Sequence, residues 1–221
     1  ITCLMRLTEL YIAIQNYDRA LELVNRLIDI DSDDPQAYFM KGIIVRDKYQ
    51  DTTLALQYFQ NAVDIKQDYI DALDMLGVLL AARGDTLAKY YYQRILDHQP
   101  GRDDIYYKLG VYYMNRGEIN RALEAYTKAT KLNPRATEAY YSMAYIHVEL
   151  KQYQKARDLF GQSIRANDRN YRAYYGRGYA YEMLGDVLNA KKDYQKVLEM
   201  LPMHKPSAEA LARVNRTMNK K

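Results

Sequence analysis

The chain has no Trp, three Phe, five Pro and one Cys among 221 residues. A lone cysteine excludes an intramolecular disulfide and a thiolate metal set. Cys3 is expected half-buried on a helix rather than lipid-modified, since Ile1-Thr2 before it lacks the small residue a lipoprotein site needs. No apolar run reaches the roughly 18 residues a membrane-spanning helix requires, and no charged-then-apolar leader opens the chain. It begins at Ile1 rather than Met, which reads as a trimmed start, so the compartment, cytoplasmic or exported, is open. Reactive constellations are missing too. His98, His147 and His204 stand apart, with no H-x-x-x-H or H-E-x-x-H spacing. His147 reads as a packed, hydrogen-bonded side chain. Asp29, Asp31, Asp33 and Asp34 would need a glycine at Asp34 and a glutamate at Met40 to form a calcium loop, so they read as a helix end and a cap before Pro35. Gly176-Arg177-Gly178 has Tyr181 where a dinucleotide fingerprint needs its third glycine, and no G-x-S-x-G is present. No enzyme, cofactor or metal is expected.

What is there is tyrosine, 24 of them, within an ordinary apolar content of 48%. The pairs Tyr106-Tyr107, Tyr140-Tyr141 and Tyr174-Tyr175 recur every 34 residues. Leu109-Gly110 and Tyr113 return as Met143-Ala144 and His147, then as Arg177-Gly178 and Tyr181. Ala122, Tyr126, Ala129 and Pro134 keep the same step. Apolar residues at i, i+3, i+4 and i+7 predict two amphipathic helices per period. Gly117 marks the turn between them, and small residues at Gly110 and Ala122 let the two helices approach closely. The expected core of the first helix is Tyr106, Leu109, Gly110 and Tyr113, with Tyr140 and Tyr174 as the equivalents of Tyr106. A hairpin of this size cannot bury its apolar face alone, so hairpins must stack.

This pattern resembles the tetratricopeptide repeat, a 34-residue helix-turn-helix unit. The resemblance implies an all-α fold, an α-α superhelix or solenoid of stacked hairpins. Six units are read at 1–34, 35–69, 70–102, 103–136, 137–170 and 171–204, with a capping helix at 205–221. Unit 35–69 carries one extra residue near Asp51–Thr53, and unit 70–102 lacks one after Gly84. The capping helix is amphipathic and basic, with Lys220 and Lys221 favourably placed at its C-terminus. The start at Ile1 has no comparable polar cap.

The net charge is +4; residues 205–221 carry five cations against Glu209, so 1–204 sum to zero. A neutral array with apolar columns argues against nucleic acid. The resemblance implies function on the face lined by the first helix of each hairpin. Helical geometry there collects Met5, Phe39, Asp74, Tyr107, Tyr141 and Tyr175 in one column, and Glu9, Ile43, Val78, Val111, Tyr145 and Tyr179 in the next. Candidate groove residues are Phe39, Tyr107, Lys108, Tyr141, Tyr145, Tyr175 and Tyr179. Two readings stay open: rings that meet a ligand, or rings that pack on the neighbouring hairpin. The Lys-x-x-x-Asn pattern of the chaperone-tail-binding members of the family is absent, so an apolar peptide or partner helix is the expected ligand. The expected function is a non-catalytic protein-interaction scaffold. Its alternatives are a structural, oligomerising segment of a larger protein, exported or not, with homo-oligomers forming through the uncapped start, and a helical-repeat nucleic-acid binder. The Tyr-rich, Trp-free style resembles tetratricopeptide proteins of bacterial origin, some of them exported lipoproteins.

Overall fold

The computed structural model describes residues 1–219; Lys220 and Lys221, with the helix-end placement expected of them, lie outside the described residues. Among those described there are thirteen α-helices and no strand. They are α1 (Thr2–Ala13), α2 (Tyr17–Ile30), α3 (Pro35–Ile44), α4 (Thr52–Ile65), α5 (Ile70–Ala82), α6 (Leu87–His98), α7 (Asp103–Asn115), α8 (Ile119–Leu132), α9 (Thr137–Glu149), α10 (Tyr153–Ala166), α11 (Tyr171–Met183), α12 (Val187–Met200) and α13 (Lys205–Met218). The chain divides into two compact units, Ile1–Gly101 with α1–α6 and a second from Arg102 onward with α7–α13. Within each, an odd-numbered helix pairs with the even one after it, and successive hairpins stack; α13 lies on α12. Helix α1 also touches α3, and α9 touches α11, so odd helices stand side by side on one face.

The hairpins close by a common device. Gly84, Gly117 and Gly185 take φ of 70°, 73° and 79°, and Gln15, Gln50 and Lys151 take 56–58° in the other three turns. In five turns the following N–H reaches back five residues: Asn16 to Tyr11, Asp85 to Leu80, Glu118 to Tyr113, Gln152 to His147 and Asp186 to Tyr181. This Schellman closure satisfies carbonyls that a helix end otherwise leaves without partners. The closing residue then starts the next helix: the side chains of Asn16 and Asp186 accept from the Arg19 and Asn189 amides.

The sixth turn corrects the expected site of the extra residue. It is absorbed before Gln50, as a π-helical turn over Val45–Tyr49 that ends α3, and not near Asp51–Thr53. A widened turn takes one residue without breaking the helix. It also leaves Asp51 free to cap α4, its Oδ1 accepting from Thr53 N at 3.0 Å and Leu54 N at 2.9 Å. The residue missing after Gly84 shortens α6 to 12 residues, against 14 in α2, α4, α8, α10 and α12.

Inside the hairpins a large side chain of the second helix fills the notch left by a small one on the first. A Cβ on Gly42 would stand 2.6 Å from the Phe59 ring, and one on Gly178 would stand 2.9 Å from the Tyr194 ring. Gly77 with Tyr92 and Gly110 with Tyr126 repeat the arrangement. Where the first helix carries the larger Thr8, the second offers Val24; both are fully buried, and Thr8 Oγ1 donates to the Leu4 carbonyl at 2.8 Å. Burying each large apolar side chain contributes about 1.5–3 kcal/mol.

Three expectations change. The innermost positions of α7, α9 and α11 are Ile105, Ala139 and Ala173, at 0–1% exposure, whereas Tyr106, Tyr140 and Tyr174 are half-buried. The stripe is rotated: the innermost positions of the first helices hold small or aliphatic side chains, and the fully buried rings, Tyr126 and Tyr194 among them, come from the second helices. Tyr112 and Ile146 are buried as well, and Tyr113 is not. Cys3 is exposed. It opens a stripe that runs through Leu7 and Leu10 on the outer face of α1 to Ile14 just past its end. Finally, the neutral sum over 1–204 hides a division: residues 1–101 hold 10 Lys and Arg against 15 Asp and Glu, net −5, and residues 102–204 hold 17 against 12, net +5, which the +4 of 205–221 raises to +9 for the second unit.

Candidate functional site

The expected groove residues fall on the odd-numbered helices, and most lean on a ring behind them. Tyr107 on α7 lies 5.7 Å from Tyr126, Tyr141 on α9 lies 5.6 Å from Phe160, and Tyr175 on α11 lies 5.7 Å from Tyr194. Phe39 on α3 stands 5.6 Å from Phe59 in the same way. All four are half-buried, so each ring serves the hairpin with one face and has its other edge outward. Burial raises the phenol pKa values of Tyr107 and Tyr141 above the ordinary value.

An ion pair joins α9 to α11 beside Tyr141. Arg172 donates to both oxygens of Glu138 at 3.0 Å and lies 5.0 Å over the Tyr141 ring. Tyr145, in the neighbouring column, is an open ring, 48% exposed. Tyr179 is half-buried and meets Tyr153 edge-on at 6.3 Å; burial, then Tyr153, raises its pKa. Tyr175 also touches His204 edge-on at 5.5 Å. Lys108 is half-buried with Nζ 3.9 Å from Asp104. That carboxylate is already held by Arg102 at 2.7 and 2.8 Å, and this hydrogen bonding lowers its pKa.

In the first unit Phe39 borders a cavity of about 300 Å³ between α1, α3 and the start of α5. Ile12, Met40 and Ile43 form its apolar wall; Glu9, Gln36 and Asp71 form its rim. Phe39 presents its edge to Tyr69 at 5.5 Å. Burial pushes the Tyr69 phenol up to about 12, with Asp71, Asp34 and Glu9 adding to the shift. Sequence reasoning missed this rim. Glu9 and Ile43 were in the right column, but only summing charge separately over the first hundred residues signals an acidic surface.

The remaining candidates are structural. Gly176 receives the edge of Phe160, while Arg177 grips Asp193 through two 2.8 Å hydrogen bonds, which raise the guanidinium pKa. His147 shares a 2.8 Å hydrogen bond with Gln152. Asp34 caps Gln36 N at 3.0 Å, with Pro35 in the first turn of α3. Among the described residues no group of three or more His, Cys, Asp or Glu could hold a metal ion, and no helix is long and apolar enough to cross a membrane.

A family model of the tetratricopeptide repeat matches residues 7–70 and 141–202, more than half of the chain. The chain belongs to the tetratricopeptide repeat family. A model of anaphase-promoting complex, cyclosome, subunit 3 matches residues 87–163. Among solved structures, this tetratricopeptide chain is similar to the C-terminal part of a TPR repeat-containing protein from Cytophaga hutchinsonii. The two are 22% identical with a TM-score of 0.78, over 96% of this chain and 85% of that one. It is similar to pilF of Pseudomonas aeruginosa, 18% identical with a TM-score of 0.74, over 96% of each chain. It is also similar to YrrB, a TPR protein with an unusual peptide-binding site, 18% identical with a TM-score of 0.65, over 85% of this chain and 96% of that one. A comparison with curated proteins found no match. These likenesses carry the fold, and the tetratricopeptide family is generally non-catalytic.

Proposed function

We propose that the chain is a non-catalytic scaffold that docks a peptide or partner helix on the faces of its odd-numbered helices, as read from repeats at 1–34 through 171–204. The observation that carries this is the half-buried column of Tyr107, Tyr141 and Tyr175 with the exposed Tyr145 beside it. Rings already held by packing lose little side-chain entropy on meeting a ligand, and their hydroxyls can hydrogen-bond a peptide backbone. Family membership and the peptide-binding site named for YrrB support the same reading. A short peptide should bind in the micromolar range, about −8 kcal/mol. Screening the full chain against an unbiased peptide array, then titrating the hits, tests it. Tyr145→Ala should weaken those hits about tenfold or more while changing stability by less than about 0.5 kcal/mol. Hits indifferent to Tyr145→Ala and Tyr141→Ala would remove the column from the account.

One observation favours the structural alternative. Leu7 and Leu10 on α1 and Ile14 at its C-cap are 39%, 55% and 60% exposed, in line with Cys3 at helical spacing. Copies joined through this stripe would sediment as a concentration-dependent dimer that Leu10→Lys disperses. A monomer at all concentrations would exclude it. The nucleic-acid reading keeps its apolar-column objection, while neutrality does not hold for the second unit taken alone.

A further inference from the structure

The cavity bounded by Phe39 differs from the tyrosine column in charge, size and depth. Its volume, about 300 Å³, lies at the lower end of small-molecule sites. That suits one or two side chains better than a folded ligand. Met40 is 4% exposed at its floor, and Ile12, Ile43 and Phe39 are half-buried around it, so an aliphatic group entering would lose water against an apolar surface. The charged rim residues are both acids. Glu9 uses Oε1 to accept from Gln36 Nε2 at 2.7 Å, and Asp71 is exposed. Neither has an ion-pair partner among the described residues. Lys66 lies nearby, 6.0 Å over the Tyr69 ring, and Asp34 adds its charge from the start of α3. The unit as a whole carries −5, which draws cations toward it over a longer range.

We propose that this cavity receives an aliphatic side chain of a peptide whose adjacent residue is Lys or Arg, the cation pairing with Glu9 and Asp71. The proposal rests on the peptide-docking reading and narrows it to a basic, apolar class of segment. An acidic segment would meet two like charges at the rim.

The test is fluorescence anisotropy on the full chain with two labelled peptides, Ser-Leu-Lys-Arg-Leu-Ser and its counterpart with Glu replacing Lys and Arg. The basic peptide should bind and the acidic one should not. Glu9→Gln with Asp71→Asn should weaken the basic peptide about three- to twentyfold, and added salt should do the same. Ala13→Leu, which fills the cavity from an exposed position on α1, should weaken it with helicity unchanged. Equal binding of both peptides, or binding indifferent to the rim and filling variants, overturns the proposal. If basic-peptide binding instead falls with Tyr145→Ala alone, the proposal fails and peptide docking stands. If neither peptide nor any array member binds, both fall.

Discussion

A left-handed residue at each hairpin turn sets where one helix stops and the next begins. Gly117 has no atom within 4 Å of an added Cβ, so Gly117→Ala tests the backbone alone. It should cost about 1–2 kcal/mol, the penalty of the left-handed region for a residue with a Cβ. Lys151 occupies the same conformation at φ 56° and is exposed, so Lys151→Gly should gain about 0.5–1 kcal/mol once glycine's larger unfolded-state entropy is deducted. Urea denaturation of the two variants measures both; a loss at Lys151→Gly would refute the turn argument. Glycine announces this role in the sequence, which is why the turn at Gly117 was legible. Gln15 and Lys151 do not, since tertiary context holds them there against their own preference.

Between elements, the governing relation is notch and ring. The small residues at Gly110 and its equivalents show in the sequence; their partners do not, because the meeting is decided by rotamer and helix crossing. Hairpin α9–α10 makes the point. With Ala144 in place of glycine, the Phe160 ring rests on Gly176 of α11, and the next hairpin supplies the missing notch. This also explains Gly176-Arg177-Gly178, a packing surface with a half-buried ion pair rather than a phosphate loop. Gly110→Ala should therefore cost about 1–3 kcal/mol by overpacking Tyr126, in spite of alanine's better helix propensity. In combination with Tyr126→Val, the pairing found naturally beside Thr8, the loss should be smaller than the sum of the two single losses. A strictly additive double-mutant cycle would contradict the notch-and-ring account.

At the scale of the whole molecule, tyrosine replaces tryptophan and most phenylalanine as the large core residue, with hydroxyls reaching polar partners. Tyr194 donates to Glu182 at 2.8 Å and Tyr91 to Gln60 at 2.7 Å. Burial pushes Tyr69 and Tyr126 up to about 12 from the ordinary 10.0, and lifts Tyr92 and Tyr194 further. The sign follows. These phenols keep their protons longer when folded than unfolded, so their contribution is complete below pH 10.0 and declines as pH rises toward 12. Alkaline titration should show part of the tyrosinate absorbance, that of the buried rings, rising with the loss of helicity in a cooperative step above pH 10.0. Complete ionisation near 10.0 with helicity intact would contradict it.

Period, helix pairing and the residues that permit close approach were readable from the chain alone, because a 34-residue repeat imposes one local solution on every copy. Tertiary structure decided the rest. The π-helical turn at Val45–Tyr49, the rotation that makes Ile105 rather than Tyr106 the innermost side chain, and the cavity beneath Glu9 and Asp71 all depend on which neighbour occupies the space across the interface. Periodicity assigns a residue to a face of its helix; only the packed neighbour determines whether that face is buried, shared or left to solvent.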